Sequence, residues 1–401
     1  MRFPPRIPLR AAATAAGLTA LLTGLITTGG AAPASAGCAP TWKTVPVPAN
    51  NVDLVDVEAL APNDVRFTGN VDTGSTALLG WNGKSITPAR GQIPQSPLHD
   101  RFLVGHGSYS SATSGWIKTE PKATWPNIAD TLARWDGTRW TTTPGAVSPD
   151  PEKAPARAND VVTLAPNVAY AAGGMRGQGG FIQRWDGTEW KAVDHPAAAR
   201  QGAELFRIAA SSASDVWAVG MQRAEDGTTR VPLVLHYDGT RWRDVEVPSF
   251  ATPGMPDALA TTVVTNGPND VWVGARRGVY SDPNTNTPLL AHWDGKEWTT
   301  VAGTAATGNG QIEALHVAGP RDVWAVVSPN LTHWDGKEWK VVTPQGAQPD
   351  DLTYVYRAID GTGPNDVWAV GVYIYGEESN IPGQPYARVR AVAAHLSCEG
   401  R

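Results

Sequence analysis

The sequence predicts an all-β chain folded as a closed ring of seven four-stranded sheets, a seven-bladed β-propeller. A two-part phrase recurs along the chain, tight-turn residues punctuate it at fixed offsets, and no stretch sustains the 3.6-residue period of an amphipathic helix. Tryptophan is abundant, 17 in 401 residues, and every one but Trp125 falls on the repeat.

The first half of the phrase reads Asp-Val-Trp-Ala-Val-Gly. Its clear copies are Asp215-Val216-Trp217, Asp270-Val271-Trp272, Asp322-Val323-Trp324 and Asp366-Val367-Trp368. Weaker copies precede them at Asp64-Val65-Arg66, Ser114-Gly115-Trp116 and Asn167-Val168-Ala169-Tyr170. The anchors at 66, 116, 170, 217, 272, 324 and 368 stand 44 to 55 residues apart, the length of a propeller blade.

The second half is an aromatic followed by Asp-Gly, or by Asn-Gly in the first copy, and, five residues after that aromatic, another large apolar residue. It appears at Trp81, Trp135, Trp185, Tyr237, Trp293 and Trp334, with Ile86, Trp140, Trp190, Trp242, Trp298 and Trp339 closing each copy. Asp-Gly between two apolar runs is a hairpin signal, because glycine accepts the positive φ of the tight turn. In the fourth copy the expected strands are Leu205–Ala210, Val216–Met221, Pro232–Tyr237 and Arg241–Val247. Side chains fixed at one repeat position share one packing slot, so the repeated tryptophans are expected between blades. The repeated aspartates are expected to form turns. His236, His292, His333 and His395 recur at one position and read as structural.

Seven first halves face six second halves. The missing one is split between the chain ends: His395-Leu396 stands where other blades have His-Trp, and Trp42-Lys43 matches Trp339-Lys340. The N-terminal strand is therefore expected to complete the last blade. In that register Cys398 falls on the Gly of the turn and Cys38 on its Asp, which predicts a disulfide across the ring closure.

Arg2, Arg6 and Arg10, the apolar run from Ala11 to Ile26 and Ala34-Ser35-Ala36 read as a secretory signal peptide, giving 1–36 as leader and 37–401 as propeller. The rival reading, a lipoprotein acylated on Cys38, wants an aliphatic residue where Ser35 stands. Outside the leader no segment has the roughly 20 apolar residues of a membrane span. The net charge of −5 becomes −8 once the three leader arginines are removed, and no basic run appears. That argues against nucleic acid or an anionic membrane as partner.

In four-stranded meanders the tight first-to-second and third-to-fourth turns share one face. The second-to-third loops and blade crossings share the other, and here these vary in length. Function rides on variable loops held by a rigid scaffold, so the long-loop face is the expected working face. Its candidate ligand- or partner-binding residues are Trp125, Arg276, Arg277, Tyr280, Tyr354, Tyr356, Tyr373, Tyr375, Glu377 and Tyr386. Flat aromatic faces beside Arg and carboxylates suit a glycan or a peptide. No nucleophile elbow, phosphate loop or metal-ligand spacing occurs, so no catalytic residue, cofactor or metal is expected. Tyr237-Asp238-Gly239-Thr240-Arg241-Trp242 does not match the Asp box of propeller sialidases, whose Asp and Gly are not adjacent. Propeller enzymes draw catalytic groups to the axis from several blades, which keeps a polysaccharide-processing enzyme as the alternative, beside a structural wall or matrix protein.

Asp-Val-Trp-Ala-Val-Gly followed by His-Trp-Asp-Gly-Lys-Glu-Trp resembles the Trp-rich propellers secreted by high-GC actinobacteria. Among these the chain is similar to the propeller lectin subunits of Streptomyces umbrella toxin particles. That resemblance implies a non-catalytic lectin at the tip of a secreted antibacterial assembly, joined through a small adaptor protein to a toxin-bearing chain. It implies no individual site residues.

Overall fold

The computed structural model describes residues 39–49, 51–71, 75–94, 102–121, 131–145, 156–175, 179–250, 257–278, 285–301, 310–327, 329–346, 353–375 and 388–398. The described residues form seven antiparallel four-stranded sheets. Blade 1 holds β2 (Val52–Ala61), β3 (Asp64–Val71), β4 (Thr76–Trp81) and β5 (Ile86–Pro88), in that order from inner to outer edge. Blade 2 holds β6 (Phe102–Ser111), β7 (Ser114–Pro121), β8 (Thr131–Trp135) and β9 (Trp140–Pro144). Blade 3 holds β10 (Ala156–Ala165), β11 (Val168–Met175), β12 (Gly179–Trp185) and β13 (Trp190–Ala192). Blade 4 holds β14 (Glu204–Ser212), β15 (Asp215–Arg223), β16 (Arg230–Tyr237) and β17 (Trp242–Asp244). Blade 5 holds β18 (Ala258–Gly267), β19 (Asp270–Arg277), β20 (Thr287–Trp293) and β21 (Trp298–Thr300). Blade 6 holds β22 (Ile312–Gly319), β23 (Asp322–Val327), β24 (Asn330–Trp334) and β25 (Trp339–Val342).

Blade 7 is composite. β26 (Thr353–Gly363), β27 (Asp366–Tyr375) and β28 (Arg388–Ser397) come from the C-terminal end, and its outer strand is β1 (Thr41–Val45). Thr41 pairs with Ser397 and Trp42 with Leu396, the register expected from the repeat. The amide of Thr44 and the carbonyl of Trp42 also bond Gln345 in the crossing from blade 6, both at 2.9 Å.

The tryptophans sit where a shared slot requires them. First-half tryptophans pack against second-half aromatics of the next blade. Trp116 meets Trp185 and Trp190 at 4.8 and 4.9 Å between centroids, Trp368 meets Trp81 at 5.0 Å, and Trp324 meets Trp42 at 5.2 Å. Edge-on aromatic packing of this kind adds to the gain from burying so much apolar area. The weak copies fill the same slot: the Arg66 guanidinium lies 5.7 Å from the Tyr109 ring, and Tyr170 sits in the core beside Trp242. In blades 4 to 7 the His ring stacks on the anchor Trp at 3.9–4.2 Å and bonds the Asp of the phrase at 2.6–2.8 Å. Burial opposes ionisation of Asp366, but the bonds from His395 and Thr362 outweigh it and hold the carboxyl below its ordinary range. The turn aspartates are caps: Asp136 Oδ1 accepts from the amides of Thr138 and Arg139, both at 2.9 Å.

Every inner strand carries a register shift toward its start, a β-bulge, between Leu54/Asp56, Val104/Gly107, Ala158/Asp160, Leu205/Arg207, Ala260/Thr262, Ile312/Ala314 and Tyr356/Ala358. The bulge explains the Gly ending the Asp-Val-Trp-Ala-Val-Gly phrase. It brings the inner-strand backbone onto the second strand, so a Cβ at Gly220 would stand 1.9 Å from the Glu204 carbonyl oxygen, and one at Gly371 would stand 2.1 Å from that of Val355. Gly220→Ala is therefore expected to destabilise the fold by about 3 kcal/mol or more, since a backbone atom has to move. Gly363→Ala, with nothing within 4 Å of its Cβ, is expected to stay within about 1 kcal/mol. Urea melts of the two variants compare them directly; equal midpoints would contradict the bulge account.

Candidate functional site

The inner strands β2, β6, β10, β14, β18, β22 and β26 touch one another in sequence, and β26 touches β2, which closes a ring around a central channel. Polar side chains stitch neighbouring blades together at every junction. Asp56 accepts from the Gly107 amide at 2.7 Å, Thr163 donates to the Ser108 carbonyl at 2.7 Å, and Asp160 accepts from the Ile208 amide at 2.9 Å. Asp257 accepts from the Arg230 amide at 2.8 Å, and Thr261 donates to the Ile312 carbonyl at 2.6 Å. His316 pairs with Asp360 at 3.3 Å, Asp360 accepts from the Ala59 amide at 2.8 Å, and Arg357 pairs with Asp53 at 2.7 Å.

The bulges set the wall of the channel. The residues left unpaired at the shifts are Val55, Gly105 with His106, Asn159, Phe206, Thr261, Glu313 and Arg357. All but Arg357 line a cavity of about 530 Å³, together with Asn70, Lys118, Glu204, Arg207 and Gln311. Its walls come from the starts of inner strands and the ends of second strands. The strand directions therefore open it on the face of the second-to-third loops and blade crossings, the face expected to work. Several of its groups are held in place. The side-chain amide of Asn70 donates to the Val104 carbonyl at 3.0 Å and accepts from the Val104 amide at 2.7 Å, while Asn159 donates to the Leu205 carbonyl at 2.8 Å.

Deeper along the channel a second cavity, of about 370 Å³, carries Asp56, Glu58, Asp160 and Asp360 with His106, Arg207 and His316. Burial and the neighbouring Asp360, Asp56 and Asp160 push the Glu58 carboxyl well above its ordinary range. Burial likewise raises Asp160, against the opposing charges of His106 and Arg207. At the upper cavity burial raises Glu313, opposed by Arg357 and Arg207. Among the described residues no group of three or more His, Cys, Asp or Glu side chains is placed to hold a metal ion.

The structure distributes the residues expected from the sequence unevenly. Tyr354, Tyr356 and Tyr373 come together, with Tyr354 5.9 Å from Tyr373 between centroids, in the core between blades 6 and 7. Tyr356 is buried, which raises its phenol. Arg276 is buried in blade 5, where it donates to Asn286 at 2.7 Å, and Arg277 ends β19 half-buried beside it. Tyr375 ends β27. Trp125, Tyr280, Glu377 and Tyr386 lie outside the described residues, as does Cys38. The channel residues were not singled out by sequence. Their one signal is the repeat Gly, whose partner on the inner strand stands just before the bulge.

No protein-family model matches the chain, and none of the curated proteins does. Solved structures do. YCF48 from Cyanidioschyzon merolae superposes with a TM-score of 0.53 at 15% identity, over 90% of this chain and 100% of that one. A catalytically inactive virginiamycin B lyase from Staphylococcus aureus, solved with quinupristin, superposes with a TM-score of 0.54 at 13% identity, over 89% and 99%. The SapL1 lectin with α-methyl fucoside follows at 0.44 and 14%, over 77% and 96%. The first two likenesses are to the fold.

Glu58 binds its proton more tightly in the folded chain than in the unfolded one. Stability should therefore fall as pH rises above the ordinary value of 4.5. Glu58→Gln is expected to raise the urea midpoint at pH 7 and to leave it unchanged at pH 4. A variant no more stable than the parent at pH 7 would show that Glu58 is not strained by its acidic neighbours.

Proposed function

We propose that this chain is a secreted, non-catalytic binding propeller of lectin type that takes a glycan in its upper axial cavity. One observation carries the proposal: the bulges of blades 1 to 6 turn their unpaired residues into one axial cavity, which sets the half-buried Phe206 ring beside the fixed amides of Asn70 and Asn159 and the carboxyl groups of Glu204 and Glu313. A flat apolar face with a few placed polar groups is how proteins grip a sugar ring, and about 530 Å³ lies within the ordinary range for small-ligand sites. Trp125, Tyr280 and Glu377, which follow the second strands of blades 2, 5 and 7 in sequence, are proposed as further ligand-binding residues. A glycan array read with the secreted protein is expected to give specific binders, weakened about tenfold or more by Phe206→Ala and by Asn159→Ala. No binder on the array, or binding indifferent to both substitutions, removes the axial site.

One observation favours a second reading. A carboxyl whose hold on its proton is strengthened by burial, as at Glu313, beside a sugar-sized cavity suits a glycosidic general acid. Turnover of an array-positive polysaccharide, abolished by Glu313→Gln, would replace the lectin with an enzyme.

Secretion, the leader 1–36, a Cys38–Cys398 bridge and membership of a toxin assembly with an adaptor partner belong to the same proposal. They are supported by the N-terminal pattern, by Thr41 pairing with Ser397 close to both cysteines, and by the resemblance of the repeat phrase to the secreted propellers. Culture supernatant is expected to yield protein cleaved after Ala36, with the two cysteine peptides linked under non-reducing conditions and a partner chain co-purifying. Free thiols, or a leader retained in the supernatant protein, would contradict the first part; a lone chain would contradict the second.

A further inference from the structure

We propose that the pocket between blades 3 and 4 is a subsite for an anionic group on the ligand of the axial cavity, an inference that rests on that cavity being a glycan site. The pocket has a volume of about 360 Å³ and opens on the same face, at the ends of β11 and β15 and the start of β14. Its charged lining is Arg157, Arg223, Arg230 and Glu204, and Met175 and Met221 add apolar wall.

It adjoins the axial cavity: Asn159 and Glu204 line both. These two residues form the sill between them: Asn159 donates to Glu204 at 3.2 Å and to the Leu205 carbonyl at 2.8 Å. A saccharide seated on the axis and extending toward the rim between these blades crosses that sill.

Charge separates this pocket from the rest of the channel. The chain is acidic overall and the deep cavity is lined by four carboxyl groups, whereas here three guanidinium groups meet one carboxylate. Arg230 is offset by Asp257 at 3.1 Å. Arg223 is positioned differently. It donates to the Gly227 carbonyl at 2.9 Å, and its stem lies against Gly202, where a Cβ would stand 2.9 Å from the Arg223 Nε. A carbonyl orients a guanidinium without neutralising it, and an oriented guanidinium binds an oxyanion through two parallel N–H bonds. Carboxylate, sulfate and phosphate share that chemistry.

The test uses an array of matched glycans that differ only in a uronate, sulfate or phosphate group, with affinities measured for the full secreted protein. The charged member of at least one pair is expected to bind about tenfold tighter. That advantage should shrink as NaCl rises, disappear in Arg223→Ala and Arg157→Ala, and survive in part in Arg223→Lys. Which pair responds names the anion. Equal binding within every pair, or a preference untouched by both alanine substitutions, overturns the subsite and leaves the axial glycan site standing. Absence of any glycan binding removes the axial site and the subsite together.

Discussion

Closure is the constraint on which the rest depends. A ring of sheets leaves no blade face bare only if the last sheet packs on the first, and here the last sheet is completed by β1 pairing along β28. Each blade buries its faces against its two neighbours, so no blade has a core of its own. The apolar clusters follow the junctions: one joins blade 7 to blade 1 through Trp368, Phe67 and Val57, and another joins β1 and blade 7 to blade 6 through Trp42 and Trp324. A cross-link between chain ends, where present, would hold shut the one junction whose strands come from opposite ends of the sequence.

The bulge on the inner strand connects stability to function. It costs one ladder pairing per blade and demands a glycine, or a small shift in register, on the strand behind it. In exchange it points a residue at the axis that would otherwise alternate into the sheet stack. The repeat keeps the bulge and lets the residue vary. Val55, Asn159, Phe206, Thr261, Glu313 and Arg357 occupy equivalent positions with unlike chemistry. A scaffold of near-identical blades thereby acquires an asymmetric cavity.

Polar groups in the channel serve two ends. The aspartates that stitch inner strands together, Asp56, Asp160 and Asp360, satisfy backbone amides of the next blade while crowding like charges into one chamber. That crowding adds to burial in raising Glu58, and it sets the acidic depth of the channel against the arginine-rich pocket at its rim.

The phrase Asp-Val-Trp-Ala-Val-Gly and its Asp-Gly partner determined the blade count, the strand order, the composite last blade and the packing role of the tryptophans. Each of these follows from local periodicity and turn chemistry, which a sequence carries in full. That the second-to-third loops and the blade crossings share one face was legible for the same reason: it needs only the alternation of short and variable connections. The axial cavity was not legible. Val55, His106, Asn159, Phe206, Thr261 and Glu313 lie about 50 residues apart in sequence and share no residue type, so nothing in the string marks them as neighbours. Ring closure and the bulge bring them to one axis. Tyr356 and Arg276 show the converse: an aromatic or an arginine near a variable loop looks like a binding group, and only the tertiary structure decided that these two turn inward and are buried.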